Sequence, residues 1–164
     1  MDVFSSQADV GDALRLACED ADSRGTVDAA ASTLEWSQGG VSVVVRQGSG
    51  FGDTASHVWV DALALAQYLV SLDLPPGGLG RTLDLGCGTG SLGLWLARSG
   101  LATQVGLADR PSQAPFLRAN VRLNGALDAP VAVHGLAYGD RESALRLRGA
   151  YDCCVAAALN YDGA

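Results

Sequence analysis

The run Leu83-Asp84-Leu85-Gly86-Cys87-Gly88-Thr89-Gly90 places an acid just ahead of three alternating glycines. Glycine reaches positive φ without steric cost and lets a ligand approach the backbone closely. A helix opening directly after such a loop presents unpaired N–H groups. The chemistry implied is the holding of a nucleotide-like ligand at the carboxyl end of a strand, where an open α/β sheet reverses its strand order. Asp109 follows 25 residues after Asp84, at the end of the next predicted strand. Its carboxylate can accept from both hydroxyls of a ribose. The other reading of Asp109, as a cap on a helix that begins at Pro111, stays open.

Spacing narrows the ligand. A dinucleotide fingerprint needs G-x-G-x-x-G, and counting from Gly86 and Gly88 its third place falls on Ser91. The chain carries D-x-G-x-G-x-G instead. In this it resembles motif I of the class I, seven-β-strand, S-adenosylmethionine-dependent methyltransferases. The resemblance implies S-adenosyl-L-methionine as cofactor, with the glycine loop around its methionine part, Asp84 helping to hold its ammonium end and Asp109 on its ribose. A nicotinamide enzyme would place an acid much like Asp109, so that residue alone does not discriminate.

Further residues resemble the methyltransferase-like family 16 protein-lysine methyltransferases. His57-Val58-Trp59-Val60-Asp61-Ala62-Leu63, followed by Gln67-Tyr68-Leu69, is similar to a helix of that group whose tryptophan lies near the cofactor. Trp59 as a plain core aromatic is the competing reading. Asn120 and Asn124 match the group's paired asparagines, and Leu136-Ala137-Tyr138-Gly139 is similar to its L-x-W-G motif, with Tyr138 in place of the tryptophan beside the adenine. The stretch from Tyr151 to Tyr161 resembles a strand running into D-x-x-Y; Ala158 stands where the group has the acid that helps seat the target amine, and Tyr161 is retained. The resemblance thus implies cofactor contacts from Trp59, Asp84, Gly86, Cys87, Gly88, Gly90, Asp109, Tyr138 and Ala157. It leaves Tyr161 as the candidate catalytic residue and involves no metal.

Methyl transfer from a sulfonium needs neither a side-chain nucleophile nor a metal, because the cofactor carries the leaving group. Alignment of amine, methyl and sulfur can supply roughly 7–11 kcal/mol of the barrier. Neither His57 nor His134 is given a catalytic role. The expected activity is methyl transfer to a protein side-chain amine, lysine above all, with a histidine or a small molecule left open as acceptor. The alternative is a non-catalytic or truncated methyltransferase-like binding module, for which Ala158 argues.

The elements that must position these residues are legible as runs. Residues 32–36 and 41–46 are β-rich and flank Ser37-Gln38-Gly39-Gly40, which predicts a hairpin. Apolar residues at helical spacing predict a helix over 58–72, stopped by Leu74-Pro75-Pro76-Gly77-Gly78. Strands are then predicted at 81–85, 105–108, 130–136 and 152–157, and helices at 90–99, 111–123 and 141–147. Repeated β-α-β units make this an α/β chain: a Rossmann-like, doubly wound, mostly parallel sheet preceded by a β-hairpin.

Composition bounds the rest. The 164 residues suffice for one domain, and 48% hydrophobic against 18% charged residues excludes a wholly disordered chain. The net charge of −7 is concentrated in residues 1–28, whose seven acids face only Arg15 and Arg24. Residues 1–30 are therefore expected to be an acidic, weakly ordered arm, with 31–164 as the methyltransferase-like domain. No basic cluster suggests a nucleic-acid partner, no run suggests a membrane span, and no secretory signal is evident. A protein substrate and a cytoplasmic setting, with the nucleus open, are the corresponding expectations. The four cysteines, Cys18, Cys87, Cys153 and Cys154, are expected to be reduced and structural. A full set of seven strands and six helices needs roughly 165 residues, whereas Arg81 to Ala164 spans 84. The expectation is a domain without its last strands: a truncated product, a fragment, or a chain completed by a partner.

Overall fold

The computed structural model describes residues 32–48 and 54–159. The expected acidic arm over 1–30, Cys18 within it, and Tyr161 lie outside the described residues. Strands β1 (Thr33–Gln38) and β2 (Val41–Arg46) form an antiparallel hairpin. The turn is just Gly39-Gly40, both at positive φ (57° and 78°), so β1 runs two residues beyond the predicted strand. Two residues at positive φ give the turn whose twist matches the flanking strands, and glycine takes it without strain.

Four further strands make one parallel sheet: β3 (Arg81–Leu85), β4 (Gln104–Asp109), β5 (Val131–Gly135) and β6 (Cys153–Val155). Their spatial order is β5-β4-β3-β6. Helix α1 (Val60–Ser71) precedes the sheet, and α2 (Ser91–Ser99), α3 (Ala114–Leu123) and α4 (Arg141–Leu147) join its strands. The predicted helix over 111–123 divides into a 3-10 turn, Pro111–Gln113, and α3. Pro115 accounts for the division, since a proline is suited to the first turn of an α-helix and not to its interior.

The chain steps outward from β3 to β4 to β5, then returns past β3 to β6. Right-handed crossovers put α2 and α3 on one face and α4 on the other, and the reversal creates a switch point between β3 and β6. Thr82 and Asp84 point to the α2 face, in register with Val105 and Leu107 on β4 and with Cys153 and Val155 on β6. The main core lies there, around Trp95, Leu94, Leu96, Leu107 and Leu117. Cys153 packs against this core while its neighbour Cys154 is exposed, as alternation requires, and Cys87, Cys153 and Cys154 are free thiols.

The hairpin is the outer layer over α2 and α3. Trp36 stacks on Trp95 with centroids 6.3 Å apart, and Trp95 Nε1 donates to the Gln38 carbonyl at 3.0 Å. The edge of β2 is closed by two side-chain amides. Asn124 Oδ1 accepts from the Val44 N–H at 3.0 Å and its Nδ2 donates to the Val44 carbonyl at 2.7 Å. Asn120 Oδ1 accepts from the Arg46 N–H at 2.9 Å. One helical turn, about 5.4–6 Å, nearly matches the two-residue repeat of a strand, about 6.6–6.8 Å, so asparagines at i and i+4 serve alternate residues of β2 as a neighbouring strand would.

On the opposite face Tyr151 lies across Gly106 of β4, where any Cβ would strike its ring. Its hydroxyl is 2.5 Å from His134 Nε2. Burial pushes the tyrosine pKa up and the histidine pKa down. At the start of β6, Asp152 takes both ends of the Arg81 guanidinium (3.0 and 2.7 Å), and these bonds hold its carboxyl down to about 2.

Candidate functional site

A cleft of about 560 Å³ opens at the carboxyl ends of β3, β4 and β6, at the switch point. Its floor is the loop from β3 to α2. Gly86 and Gly88 hold φ of +65° and +54°. The Gly86 N–H bonds the Ala108 carbonyl at 2.8 Å, which anchors the loop to the end of β4. A Cβ on Gly88 would meet the Ala55 carbonyl at 3.1 Å, so the 3-10 turn Thr54–Ser56 packs directly on the loop.

Asp109 ends β4 and is 8% exposed. Its Oδ2 accepts from the Gly88 N–H at 2.8 Å and its Oδ1 from the Arg110 N–H at 2.7 Å. A carboxylate has about four acceptor positions, so these two bonds orient it and leave capacity toward the cleft. Its contact is with the glycine loop and with the residue that follows it, rather than with a helix over the 3-10 turn.

Asp84, 2% exposed, has a different setting. Its Oδ2 accepts from the Gly93 N–H at 2.9 Å. Gly93 is the third residue of α2, whose first N–H groups have no partner within the helix, and a negative charge there is favoured by the helix dipole. The acid ahead of the glycines is therefore a cap delivered from the preceding strand. Burial, with a smaller contribution from the Asp109 charge, raises its pKa to about 7 despite the Gly93 bond. Burial likewise pushes the Cys87 thiol well above its ordinary value, which makes it a poor nucleophile.

The fold gathers most of the residues singled out in the sequence. Trp59, Asp84, Gly86, Cys87, Gly88 and Asp109 all line the cleft. Tyr138 and Ala157 line it as well, and so does Ala158. Gly90 faces elsewhere: a Cβ there would meet Leu107 and Leu117, so it serves the seating of α2. Trp59 stands just before α1 and donates its Nε1 to the Thr54 carbonyl at 2.8 Å, which fixes the indole against the cleft wall. Tyr138 is 69% exposed at the rim.

Sequence reasoning missed several lining residues, among them Thr54, Arg110, Asp140 and Arg141. Asp140 carried a readable signal, an acid immediately before a short helix, and its Oδ1 does accept from the Ser143 N–H at 3.1 Å. Thr54 carried none, because only the tertiary packing of its turn on Gly88 brings it to the site.

The volume of the cleft lies in the usual range for small-molecule sites, and two buried acids, Asp84 and Asp109, line it. Among the described residues no helix is long and apolar enough to cross a membrane. The sequence profile of the lysine methyltransferase family matches residues 40–164, which takes in β2, the whole parallel sheet and the cleft. A comparison with curated proteins finds no match.

Proposed function

We propose, from the premise that the chain belongs to the lysine methyltransferase family, that it binds S-adenosyl-L-methionine in the cleft and methylates a protein side-chain amine, lysine in the first instance. The observation that carries this reading is Asp109 hydrogen-bonded to Gly88 at the open end of the sheet. One carboxylate thereby sets the loop backbone and retains acceptor capacity for a ribose diol. The cofactor, when bound, supplies both the methyl group and its leaving group. The chain's own residues bind and orient. The loop from Gly86 to Gly88 forms the floor, Asp109 is held for hydroxyls, and Trp59 and Tyr138 provide apolar surface that limits water. The acceptor must arrive as a neutral amine, and alignment is the protein's contribution to rate. The partner is a protein, in the cytoplasm or nucleus.

The second reading, a module that binds the cofactor without transferring its methyl group, is favoured by one observation. Ala158 brings a methyl group into the cleft where the family resemblance places the amine-seating acid.

The test is the thermal midpoint of the purified chain with and without saturating S-adenosylmethionine, with NADH as control, followed by transfer of labelled methyl to lysine-rich protein. At a hundredfold excess over Kd, binding adds about 2.7 kcal/mol, a rise of roughly 5–10 °C for a chain of this size. A rise with S-adenosylmethionine alone and label on lysine is expected. A rise without label selects the second reading, and a cooperative transition with no rise removes both.

A further inference from the structure

Gly86 is covered by the chain's own side chains. A Cβ built on it would collide with Leu159 Cδ2 and lie 3.1 Å from Tyr138 Oη. Leu159 therefore rests on the bare backbone of the first glycine of the loop, within the same cleft. It reaches that place because Ala158 holds φ of +55°, a left-handed conformation that residues with a Cβ adopt rarely. The turn is not held by the sheet ladder, since β6 ends its pairing at Val155 opposite Asp84.

We infer that the Ala158–Leu159 turn is an internal occupant of the glycine loop: Leu159 covers Gly86 and must withdraw before a ligand can touch that backbone, so it sets affinity by competition. The inference rests on the reading of the cleft as the S-adenosylmethionine site. A ligand that binds only the uncovered loop has its apparent affinity reduced by the fraction of chains in which the loop is uncovered. An apolar side chain seated on backbone, with its neighbour in a disfavoured conformation, is a contact weak enough to break and strong enough to bias that fraction. The two residues bias it in opposite senses. Shortening Leu159 removes the cover, whereas a glycine at 158 removes the disfavoured φ and leaves the covered turn easier to hold.

The experiment is calorimetric titration of S-adenosylmethionine onto the full chain carrying Leu159→Ala, Leu159→Val or Ala158→Gly, beside the unaltered chain. Leu159→Ala is expected to tighten binding about three- to tenfold. Leu159→Val, which removes the Cδ atoms and keeps a branched apolar side chain, tightens it by a smaller factor and serves if the alanine variant melts too low. Ala158→Gly is expected to weaken binding by a factor of about two to five. A readout without any ligand accompanies these. In a double-mutant cycle followed by urea unfolding, Gly86→Ala costs less in the Leu159→Ala background than in the unaltered chain. Unchanged or weakened binding by the Leu159 variants overturns the inference and makes Leu159 a wall of the site. Titrations that show no heat for any chain, the unaltered one included, overturn the cofactor reading and this inference with it.

Discussion

Asn120 Nδ2 donates to the Thr89 carbonyl at 2.8 Å, so a helix residue that does not line the cleft fixes the loop that does. The same amide accepts from the Arg46 N–H, and the residue is fully buried. The hairpin, α3 and the glycine loop thus share one side chain. Asn120→Ala leaves the Arg46 N–H and the Thr89 carbonyl without these partners, at about 1–3 kcal/mol for each orphaned group. The expected loss is about 2–4 kcal/mol in urea unfolding, or a midpoint lower by roughly 5–15 °C. A midpoint within about 2 °C of the unaltered chain would mean that water replaces the amide and that the hairpin is not coupled to the loop.

Asp109→Asn separates charge from geometry. The amide oxygen can still accept from Gly88 while its NH2 faces the Arg110 N–H, so the chain should still fold cooperatively with a somewhat lower thermal midpoint, while the charge-assisted bonds to a ligand's hydroxyls are lost. These contribute roughly 1.5–3 kcal/mol each, and S-adenosylmethionine should bind at least about tenfold more weakly. Equal affinity by calorimetry would show that Asp109 acts only as a strut for the loop.

Legibility in the sequence followed the range of the interactions involved. The glycine loop and Asp109 could be placed because they sit at strand ends, which runs of Leu and Val mark. The two turn glycines of the hairpin were visible as well, and only the length of β1 was underread, since Ser37 and Gln38 look like loop residues until paired with Ser42 and Val41. Asp84 was legible as an acid with a role, but not as the cap of α2, because Gly93 comes within reach only when that helix packs on β4. A Cβ on Gly93 would collide with Leu107 Cδ2; a glycine inside a helix, at a cost near 1 kcal/mol relative to alanine, was the signal of that close approach. The contact of Leu159 with Gly86 left no trace in sequence, because a turn at positive φ on alanine follows no pattern of residue types.

The buried carboxyl of Asp84 makes stability depend on pH with a definite sign. Its folded pKa of about 7 lies above the ordinary 3.8, so between these values the folded chain holds more protons than the unfolded one, and stability falls as pH rises. The contribution is complete below about pH 4 and lost as pH passes through 7. Asp152, whose folded carboxyl is near 2, loses its contribution only at more acid pH. Burial of His134 acts in the opposite sense below about pH 6.5, so the thermal midpoint should fall from about pH 6.5 to pH 8, and Asp84→Asn should flatten that slope while retaining an oxygen for the Gly93 N–H. Parallel slopes for the two proteins would show that Asp84 titrates at its ordinary value.

Ala158 is an alanine in a conformation better suited to another residue. At φ of +55° asparagine and aspartate are several-fold enriched, and β-branched residues are outliers. The backbone keeps the shape that an acid at this position would favour. Ala158→Asp should accordingly cost little or stabilise by up to about 1 kcal/mol, whereas Ala158→Val should cost about 1–3 kcal/mol; urea midpoints distinguish them. The aspartate also places a carboxylate in the cleft, where a cationic amine can be drawn in before it loses its proton. Under the lysine reading, Ala158→Asp raises methyl transfer to protein lysine above that of the unaltered chain while S-adenosylmethionine affinity stays within a few-fold. A variant that folds, binds the cofactor and shows no such gain would count against lysine as the acceptor and in favour of a module that only binds.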